Sequence, residues 1–299
     1  MFEILDKETP AESITKFLIK APYVARKHKA GNFVIIRVND YGERIPLTIV
    51  DSNPDAGTIT IMVQTIGKTT KLLSLQKKGD FLLDVAGPLG NPTPIHKYGT
   101  VVCIGGGVGT AEVYPITKAL KAAGNKLVTI IGARTKDLVI LESELRNLSD
   151  EFFVTTDDGS YGTKGLVTNV LDTYLKKNSD VKAIYAIGPI IMMKAVSDFT
   201  KPIGIQTYVS LNPIMMDGTG MCGACRVSIG NGTKFACVDG PEFDGHLVDF
   251  DELIMRNRSY MDLEKFSLEQ FEHDSAQKEH SGCGCTTKSR LSVKEAANA

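Results

Sequence analysis

Three cysteines and one aspartate lie close together in the last third of the chain, and these residue types can together bind a metal. Cys222 and Cys225 form a C-x-x-C pair, and Asp217 stands shortly before them. Cys237 follows beyond a predicted hairpin whose turn lies at 230–232. Glycines on both sides of the pair allow backbone N–H groups to approach sulfur closely. Such a donor set suits a structural zinc ion or an iron–sulfur cluster, and Cys237 alone is also compatible with an ordinary buried thiol.

A glycine-rich turn is the second segment that could do chemistry. It joins a predicted strand at 100–104 to a predicted helix at 111–123, and its residues are Gly105, Gly106, Gly107, Gly109 and Thr110. Glycines there let the backbone approach a pyrophosphate, while the start of the helix offers free N–H groups. A nucleotide site beside the cysteines needs an exit for electrons, which favours an iron–sulfur cluster over zinc.

This turn departs from the G-x-G-x-x-G pattern of dinucleotide-binding domains in two places. Thr110 stands where the last glycine would be. The acidic residue expected to bind a ribose at the end of the second strand is replaced by Gly132, Ala133 and Arg134. Arg134 is suited either to meet a 2′-phosphate or to remain in solvent, so the choice between NAD and NADP stays open.

The elements that must position these residues follow two patterns along the chain. The first ninety-odd residues read as short strands rich in Val, Ile and Thr, which predicts a small antiparallel β-barrel with one helix at 69–75. The clearest strands are 32–38, 44–50 and 58–66. From residue 98 strands alternate with helices, which predicts a parallel α/β sheet. The segment 87–94 is dense in glycine and proline and is predicted to be a hinge between the two.

Regularity decreases after residue 211, where a small cluster module is predicted. A helix is expected at 262–271, with Leu263, Phe266 and Phe271 forming an apolar stripe that docks on this chain or on a partner. Cys283 and Cys285 are assigned no role, because two thiols do not complete a cluster. The expected domain boundaries are 1–97, 98–210, 211–260 and 261–299.

Composition and charge exclude several classes of protein. The chain has 299 residues, and its 34 basic and 35 acidic residues give a net charge of -1. It therefore lacks the excess of positive charge that binding to a nucleic-acid backbone requires. The apolar run at 184–193 is too short to span a bilayer, and the first ten residues lack the features of a signal peptide. The six cysteines are too few and too unevenly placed for a disulfide scaffold. We expect a cytoplasmic protein with no membrane and no nucleic-acid partner.

Six motifs in a fixed order carry a family resemblance. They are 44–48 (Arg-Ile-Pro-Leu-Thr), 67–72 (Gly-Lys-Thr-Thr-Lys-Leu), 87–91 (Gly-Pro-Leu-Gly-Asn), the glycine-rich turn, 156–162 (Thr-Asp-Asp-Gly-Ser-Tyr-Gly) and the cysteine segment. This order resembles the ferredoxin–NADP reductase superfamily, in the branch that contains the electron-transfer subunit of dihydroorotate dehydrogenase. The resemblance covers about residues 1 to 260.

The resemblance implies that the barrel holds FAD. Arg44 would pair with the flavin pyrophosphate, although a lone arginine at a strand end is also compatible with a solvated charge. Pro46 and Leu47 would lie beside the isoalloxazine, and the Thr48 hydroxyl near its reactive edge. Donors to the ribityl–phosphate region would come from Gly67, Lys68, Thr69 and Thr70.

For the nicotinamide dinucleotide, the resemblance implies a cradle made by the glycine-rich turn. Gly132, Ala133 and Arg134 would lie near the adenosine ribose, and Gly188 and Pro189 beside the nicotinamide ring. Hydride would pass directly from nicotinamide to the flavin, so no general acid or base and no catalytic histidine is assigned. Asp157 and Asp158 are expected to form a turn.

At the cluster, the resemblance implies four ligands around [2Fe–2S]: Asp217, Cys222, Cys225 and Cys237. The dihydroorotate branch has a cysteine where Asp217 stands. Aspartate there resembles the small subunits of NADH-dependent reduced ferredoxin:NADP oxidoreductases, which are electron-bifurcating heterodimers. The implied partner is a larger flavin and iron–sulfur subunit resembling the glutamate synthase small subunit, with ferredoxin reached indirectly.

Three alternatives are kept open. Two are enzyme subunits, one for dihydroorotate oxidation and one for a sulfide- or polysulfide-linked reductase. The third is a zinc-stabilised nucleotide-binding module without enzyme activity.

Overall fold

A computed structural model describes residues 1–280, with side chains through Asp274. The first part of the chain is an antiparallel sheet of seven strands that curls into a barrel. Its strands are β1 (Phe2–Ala11), β2 (Ile14–Lys20), β3 (Phe33–Arg37), β4 (Ile45–Asn53), β5 (Thr58–Gln64), β6 (Phe81–Leu82) and β7 (Asp84–Leu89). They are ordered β6-β1-β2-β5-β4-β3-β7. The predicted barrel is confirmed.

Alternating side chains of these strands fill the barrel with Ile, Val, Leu and Phe, because successive residues of a strand point to opposite faces. Helix α1 (Pro22–Lys27) contributes Val24 and Ala25 to this core. The predicted helix of the barrel is α2 (Lys68–Ser74), which begins directly after Gly67.

The second sheet is parallel except for one edge strand, as predicted for an α/β domain. Its strands are β8 (Thr100–Gly106), β9 (Lys126–Ala133), β10 (Glu151–Thr156), β11 (Thr163–Lys164), β12 (Val181–Ile187), β13 (Gln206–Ser210) and, further along the chain, β16 (Glu242–Asp244). Their order is β11-β10-β9-β8-β12-β13-β16. The helices between them are α3 (Gly109–Ala122), α4 (Glu142–Leu148), α5 (Val167–Leu175) and α6 (Ile190–Thr200).

The sequence of strand β8 is a nearly continuous apolar run because both faces of the strand are buried. Val101 and Cys103 pack into the core beneath α3, while Val102 and Ile104 pack into the core on the opposite face. Helices cover both faces of a parallel sheet, so its central strands are mostly apolar, and a buried polar side chain such as Thr129 of β9 is hydrogen-bonded, here by Ser149.

The last described part contains more regular structure than expected. It comprises β14 (Arg226–Ile229), β15 (Gly232–Phe235), α7 (Ala236–Asp239), α8 (Phe250–Asn257) and α9 (Met261–His280). The predicted hairpin is the β14–β15 pair, which turns at Gly230 with φ of 59°. Strand β16 joins the parallel sheet by pairing antiparallel with β13. Three residues are too short a stretch to show a strand pattern in the sequence.

The hinge predicted at 87–94 is wrong in its first half. Residues 87–89 belong to β7, which pairs with β3. Proline is tolerated there because β7 is an edge strand and needs no donor on its open side. Beyond it, the Asn91 amides donate to the carbonyl oxygens of Gly240 and Val238, so this linker is tied to the cysteine-rich part.

The C-terminal helix is present, but most of its predicted apolar stripe does not pack on the described part of this chain, and docking on a partner stays a prediction. Leu263 and Phe266 are 66% and 57% exposed, while Phe271 is half-buried. Contact with the barrel runs through a salt bridge between Glu272 and Lys71 of α2. Cys283 and Cys285 lie outside the described residues.

Candidate functional site

The glycine-rich turn connects β8 to α3 at the carboxyl edge of the parallel sheet. The Gly107 N–H donates to the Gly132 carbonyl at 2.8 Å, which ties the turn to the end of β9. Thr110 is buried, and its N–H donates back to the Gly107 carbonyl at 3.1 Å. Ligands of open α/β sheets bind in the crevice at this edge, so the predicted dinucleotide residues stand at the expected place.

Most glycines of this turn serve close packing. A Cβ on Gly109 would lie 2.5 Å from the Ile187 carbonyl oxygen, and one on Gly106 would lie 2.5 Å from the Met192 sulfur. The nearest neighbours of a Cβ on Gly105 and on Gly188 would lie 2.7 and 2.9 Å away. The turn after β8 and the turn after β12 therefore touch through backbone atoms.

Gly107 differs from the other glycines of the turn. Its φ is +55°, and a Cβ there would meet nothing within 4 Å among the atoms that the structure describes. The backbone of Gly107 thus faces open space beside the start of α3, where N–H groups of the first turn are free to bind an anion. This is the part of the turn that fits a pyrophosphate.

The loops after β9, β10 and β12 lie beside the glycine-rich turn at the carboxyl edge of the parallel sheet. Arg134 is exposed and makes no ion pair within the described residues, while Gly132 packs against Val167. Pro189 precedes α6 and packs against Gly106. Asp158 accepts from the Ser160 N–H and hydroxyl, which agrees with the expected turn at 157–158.

Two of the predicted flavin residues of the barrel, Arg44 and Pro46, line a cleft. Pro46, Leu47 and Thr48 lie half-buried on β4, and Arg44 stands exposed directly before this strand. The cleft has a volume of about 510 Å³. Its other walls come from distant parts of the chain, namely residues 212–216, Asn257 of α8 and Glu264 of α9.

The start of α2 lies beside Arg44 and already engages an anionic group. The Glu43 carboxylate accepts from the Thr69 hydroxyl and pairs with the Lys68 ammonium at 3.5 Å. Donors that hold a carboxylate here also suit a phosphate. The Thr70 hydroxyl instead accepts from the Gly67 N–H at 3.0 Å and stabilises the helix start, while the buried Thr69 hydroxyl donates to Glu43.

The cluster loop, residues 217–237, carries the four predicted ligands, and two of them have their ligand atoms in contact. Cys225 and Cys237 are both buried, with their sulfur atoms 3.1 Å apart. Asp217 accepts from the Cys222 N–H at 2.9 Å and from the Thr219 N–H at 2.8 Å. These N–H groups, that of Thr219 first, hold the pKa of Asp217 below its usual range, so a carboxylate is available as a ligand.

The backbone of this loop also suits a cluster. Gly218, Gly220 and Gly223 have φ between +68° and +82°, and the Gly220 N–H reaches the Cys237 sulfur. Within residues 1–274 no three His, Cys, Asp or Glu side chains converge as a single metal ion would require.

Sequence reasoning missed one wall of the flavin cleft. This wall is formed by residues 212–216, Asn257 and Glu264. They lie more than a hundred positions after the last barrel strand, and none of them belongs to a motif. Asn212 and Pro213 mark only a break in regular structure. No local signal places them beside Arg44.

Two family models match this chain. Residues 103–198 match the oxidoreductase NAD-binding domain, and residues 212–249 match the iron–sulfur cluster binding domain of dihydroorotate dehydrogenase B. An antiparallel barrel, a nucleotide-binding sheet and a cysteine loop in this order define the class of ferredoxin-reductase-like oxidoreductases.

Relatives make this class more specific. A Thermotoga maritima protein named dihydroorotate dehydrogenase B (NAD(+)), electron transfer subunit homolog is 51% identical over 269 residues, which cover 90% of this chain and 95% of that protein. The electron transfer subunit of dihydroorotate dehydrogenase B from Bacillus mycoides is 32% identical over 251 residues, covering 80% and 94%. The chain belongs to the family of dihydroorotate dehydrogenase B electron-transfer subunits and their homologues.

Solved structures agree with this assignment. A chain of the NADH-dependent reduced ferredoxin-NADP oxidoreductase, described for flavin-based electron bifurcation, superposes with a TM-score of 0.86 at 49% identity, covering 91% of this chain and 98% of that chain. Phthalate dioxygenase reductase superposes with a TM-score of 0.57 at 18% identity over 77% of this chain and 86% of that chain, a likeness of fold.

These comparisons confirm the predicted family, fold class, NAD binding and iron–sulfur cluster. The match at 212–249 favours iron–sulfur chemistry over the zinc alternative. In the described part of the chain, no helix combines the length and apolar character needed to cross a membrane.

Proposed function

We propose that this chain takes a hydride from NAD(H) bound at the parallel sheet, transfers it to FAD held by the barrel, and relays single electrons through a [2Fe–2S] cluster to a larger partner. One observation carries the proposal. Residues 212–216 line the flavin cleft opposite Arg44 and lead directly into Asp217, so the cleft and the cluster loop share a wall. A short path between the two groups is what an electron relay needs.

The residues of the barrel would bind and orient the flavin. When bound, FAD supplies two-electron chemistry and the [2Fe–2S] cluster supplies one-electron chemistry. Arg44 and the start of α2 provide cationic and N–H donors to the pyrophosphate. Pro46 and Leu47 exclude water from one side of the ring, and the Thr48 hydroxyl is a donor near its reactive edge.

The residues of the parallel sheet would bind NAD(H). Gly107 and the first turn of α3 face the pyrophosphate, Gly132 to Arg134 the adenosine ribose, and Gly188 and Pro189 the nicotinamide. Gly188 packs closely on Gly106, whereas Gly107 leaves open space beside α3, and this combination supports a tightly packed edge with room for a ligand at Gly107. We place NAD(H) ahead of NADP(H), with Arg134 the residue that decides between them.

The proposed partner is a larger flavin and iron–sulfur subunit of the glutamate-synthase-small-subunit type, which passes electrons on to ferredoxin. Exposed side chains beside the cluster ligands support an interface there: Met221 is 88% exposed next to Cys222, and Met216 is 60% exposed next to Asp217. We place this complex in the cytoplasm, where thiolate ligands stay reduced.

The division of the chain at 1–97, 98–210, 211–260 and 261–299 belongs to the same proposal. Separate barrel and parallel sheets support the first boundary. Strand β16 adds to the second sheet, so the cluster module would be built onto the nucleotide domain rather than suspended from it.

The electron-transfer subunit of dihydroorotate oxidation is the second candidate, and the relatives of that name support it. Asp217 favours the bifurcating type, because a carboxylate replaces a thiolate ligand there. Reconstitution with each partner separates the two: dihydroorotate-dependent reduction of this chain would favour the second candidate.

An anaerobic titration of the purified chain with NADH, followed by visible absorbance, tests the main proposal. We expect the flavin band to bleach and the iron–sulfur shoulder to fall, with NADPH acting only at much higher concentration. A colourless, iron-free protein that does not respond to either nucleotide contradicts the proposal.

Arg44→Ala is expected to weaken FAD binding by roughly tenfold or more, because a charged donor to a phosphate is lost. The measurement is flavin retained after dialysis, together with flavin affinity by fluorescence. Arg26→Ala, an exposed arginine on α1, is the control and should retain flavin like the wild type. Equal retention by both variants would remove Arg44 from the flavin site.

A further inference from the structure

One buried apolar cluster, the seam, joins the barrel to the parallel sheet and its helices. Its barrel members are Ala11, Ile14, Val50 and Met62, and its members from the second part are Ala111 and Ile140. All of these side chains are at most 7% exposed. Because such a cluster excludes water and is closely packed, it holds the two parts of the chain in one relative position.

The seam begins beside a predicted flavin residue on β4. Leu47 and Ile49 pack in the barrel core, so Thr48 between them faces the outside of the barrel. Val50 follows two residues later and belongs to the seam. The hydroxyl expected near the reactive edge of the flavin is therefore carried by the same short stretch of strand that contacts the second part of the chain.

The seam also reaches the glycine-rich turn. Ala111 directly follows Thr110, the last residue of that turn, and lies in the first turn of α3. Tyr114, one helical turn further on, packs against the seam and against an adjoining cluster that contains Ile131 of β9. The start of α3 is thus held between the barrel and the parallel sheet, and a change in the seam would move the turn.

An ion pair joins the same two elements outside the seam. The Lys118 ammonium of α3 lies 3.1 Å from a carboxylate oxygen of Asp51, the residue after Val50 on β4. The two side chains are 53% and 45% exposed, so the pair contributes little to global stability. Two like charges at this place would nevertheless repel and push α3 away from β4.

We propose that the seam and the Asp51–Lys118 pair position the glycine-rich turn against the flavin residues of β4 for hydride transfer. This inference rests on the proposed function. A displacement of about 1 Å can slow a step between two held groups by roughly 100-fold, because the reacting atoms must be nearly in contact. Ile14, Asp51 and Lys118 lie outside the predicted cofactor-binding residues, which makes them positioning residues. Their replacement should slow hydride transfer more than it weakens the binding of NADH or FAD.

Ile14 and Ile19 of β2 offer a matched pair of truncations. Both are isoleucines with at most 1% exposure, but Ile14 belongs to the seam and Ile19 to the barrel core. The Ala variants remove the same atoms from the same strand, so both should lower the melting temperature. Only Ile14→Ala opens a cavity between the barrel and α3.

Rapid mixing of the purified full-length holoprotein with NADH measures the effect. It gives the limiting rate of flavin reduction and the NADH concentration at half that rate. We expect Ile14→Ala to lower the limiting rate at least about tenfold, with less than about a threefold change in the half-saturating concentration. Ile14→Val, which removes a single methylene, should keep most of the rate, and Ile19→Ala should keep the wild-type rate.

A charge exchange tests the same contact without opening a cavity. Lys118→Glu and Asp51→Lys should each lower the limiting rate at least about threefold, because each puts like charges between α3 and β4. The double variant restores an ion pair and should recover most of the rate. Lys121→Glu is the control, since Lys121 lies on the same helix but pairs with Asp150, away from the barrel.

The outcomes separate the two proposals. An equal fall of the limiting rate in Ile14→Ala and Ile19→Ala overturns the positioning role, because the fall would then follow from lost stability alone. Wild-type rates in both single charge variants overturn it too, and they decide the question if Ile14→Ala does not fold. A wild type that binds flavin but is not reduced by NADH contradicts the proposed function itself.

Discussion

Cys237→Ala is expected to abolish the iron–sulfur cluster while leaving flavin reduction by NADH in place. Cys237 and Cys225 form the buried pair, with sulfur atoms 3.1 Å apart, and Cys222 of the same loop is already a predicted ligand. Loss of even an outer partner of a metal ligand typically costs about 10–100-fold in metal affinity, so loss of a direct ligand costs at least that. Iron content, visible absorbance and reduction of a one-electron acceptor measure the effect.

Cys103→Ala is the matched control for this experiment. Cys103 is also a fully buried thiol, and burial raises its pKa to about 12, but it lies on β8 beneath α3, outside the cluster loop. We expect it to keep its iron. If Cys237→Ala retained full iron content and full electron delivery, the four-ligand assignment would be wrong.

Asp217→Cys is the third variant of the cluster experiment, and it replaces the predicted carboxylate ligand by a thiolate. We expect the cluster to remain and its reduction potential to shift, because a thiolate is a softer and more covalent ligand than a carboxylate. An unchanged potential in a redox titration would show that Asp217 does not ligate the cluster.

Gly107→Ala is expected to weaken NADH binding about tenfold or more, equivalent to about 1.4 kcal/mol. A methyl group there meets no protein atom within 4 Å and therefore enters the space assigned to the dinucleotide. The positive φ of +55° adds a backbone cost of about 1–2 kcal/mol, so the melting temperature should also fall by a few degrees.

Gly204→Ala separates these two effects. Gly204 has φ of +72° and likewise nothing within 4 Å, but it precedes β13 at the amino edge of the sheet, away from the crevice. Both variants should lose similar stability, and only Gly107→Ala should raise the KM for NADH. Equal KM values would mean that the glycine-rich turn does not bind the dinucleotide.

Local patterns were sufficient to predict the elements and most of the chemistry. The run at 100–104 and the helix after it follow from apolar periodicity, and the observed β8 and α3 match them. The C-x-x-C pair and Asp217 identify a metal site because ligand type and short spacing are properties of neighbouring residues. The order of the six motifs supplied the family.

Packing over long distances in the chain decided the rest. Sequence periodicity could not show that β16, three residues long, adds to the edge of the parallel sheet and carries Glu242 to the barrel. It could not show that residues 212–216 close the cleft beside Arg44 either.

The amino-acid sequence by itself therefore predicted which groups would bind a dinucleotide, a flavin and a cluster. Only the tertiary structure decided how they meet: Cys225 against Cys237, and the cleft against the cluster loop. The physical reason is that backbone preference and side-chain periodicity act over a few residues, whereas these contacts arise from the burial of apolar surface between elements far apart in the chain.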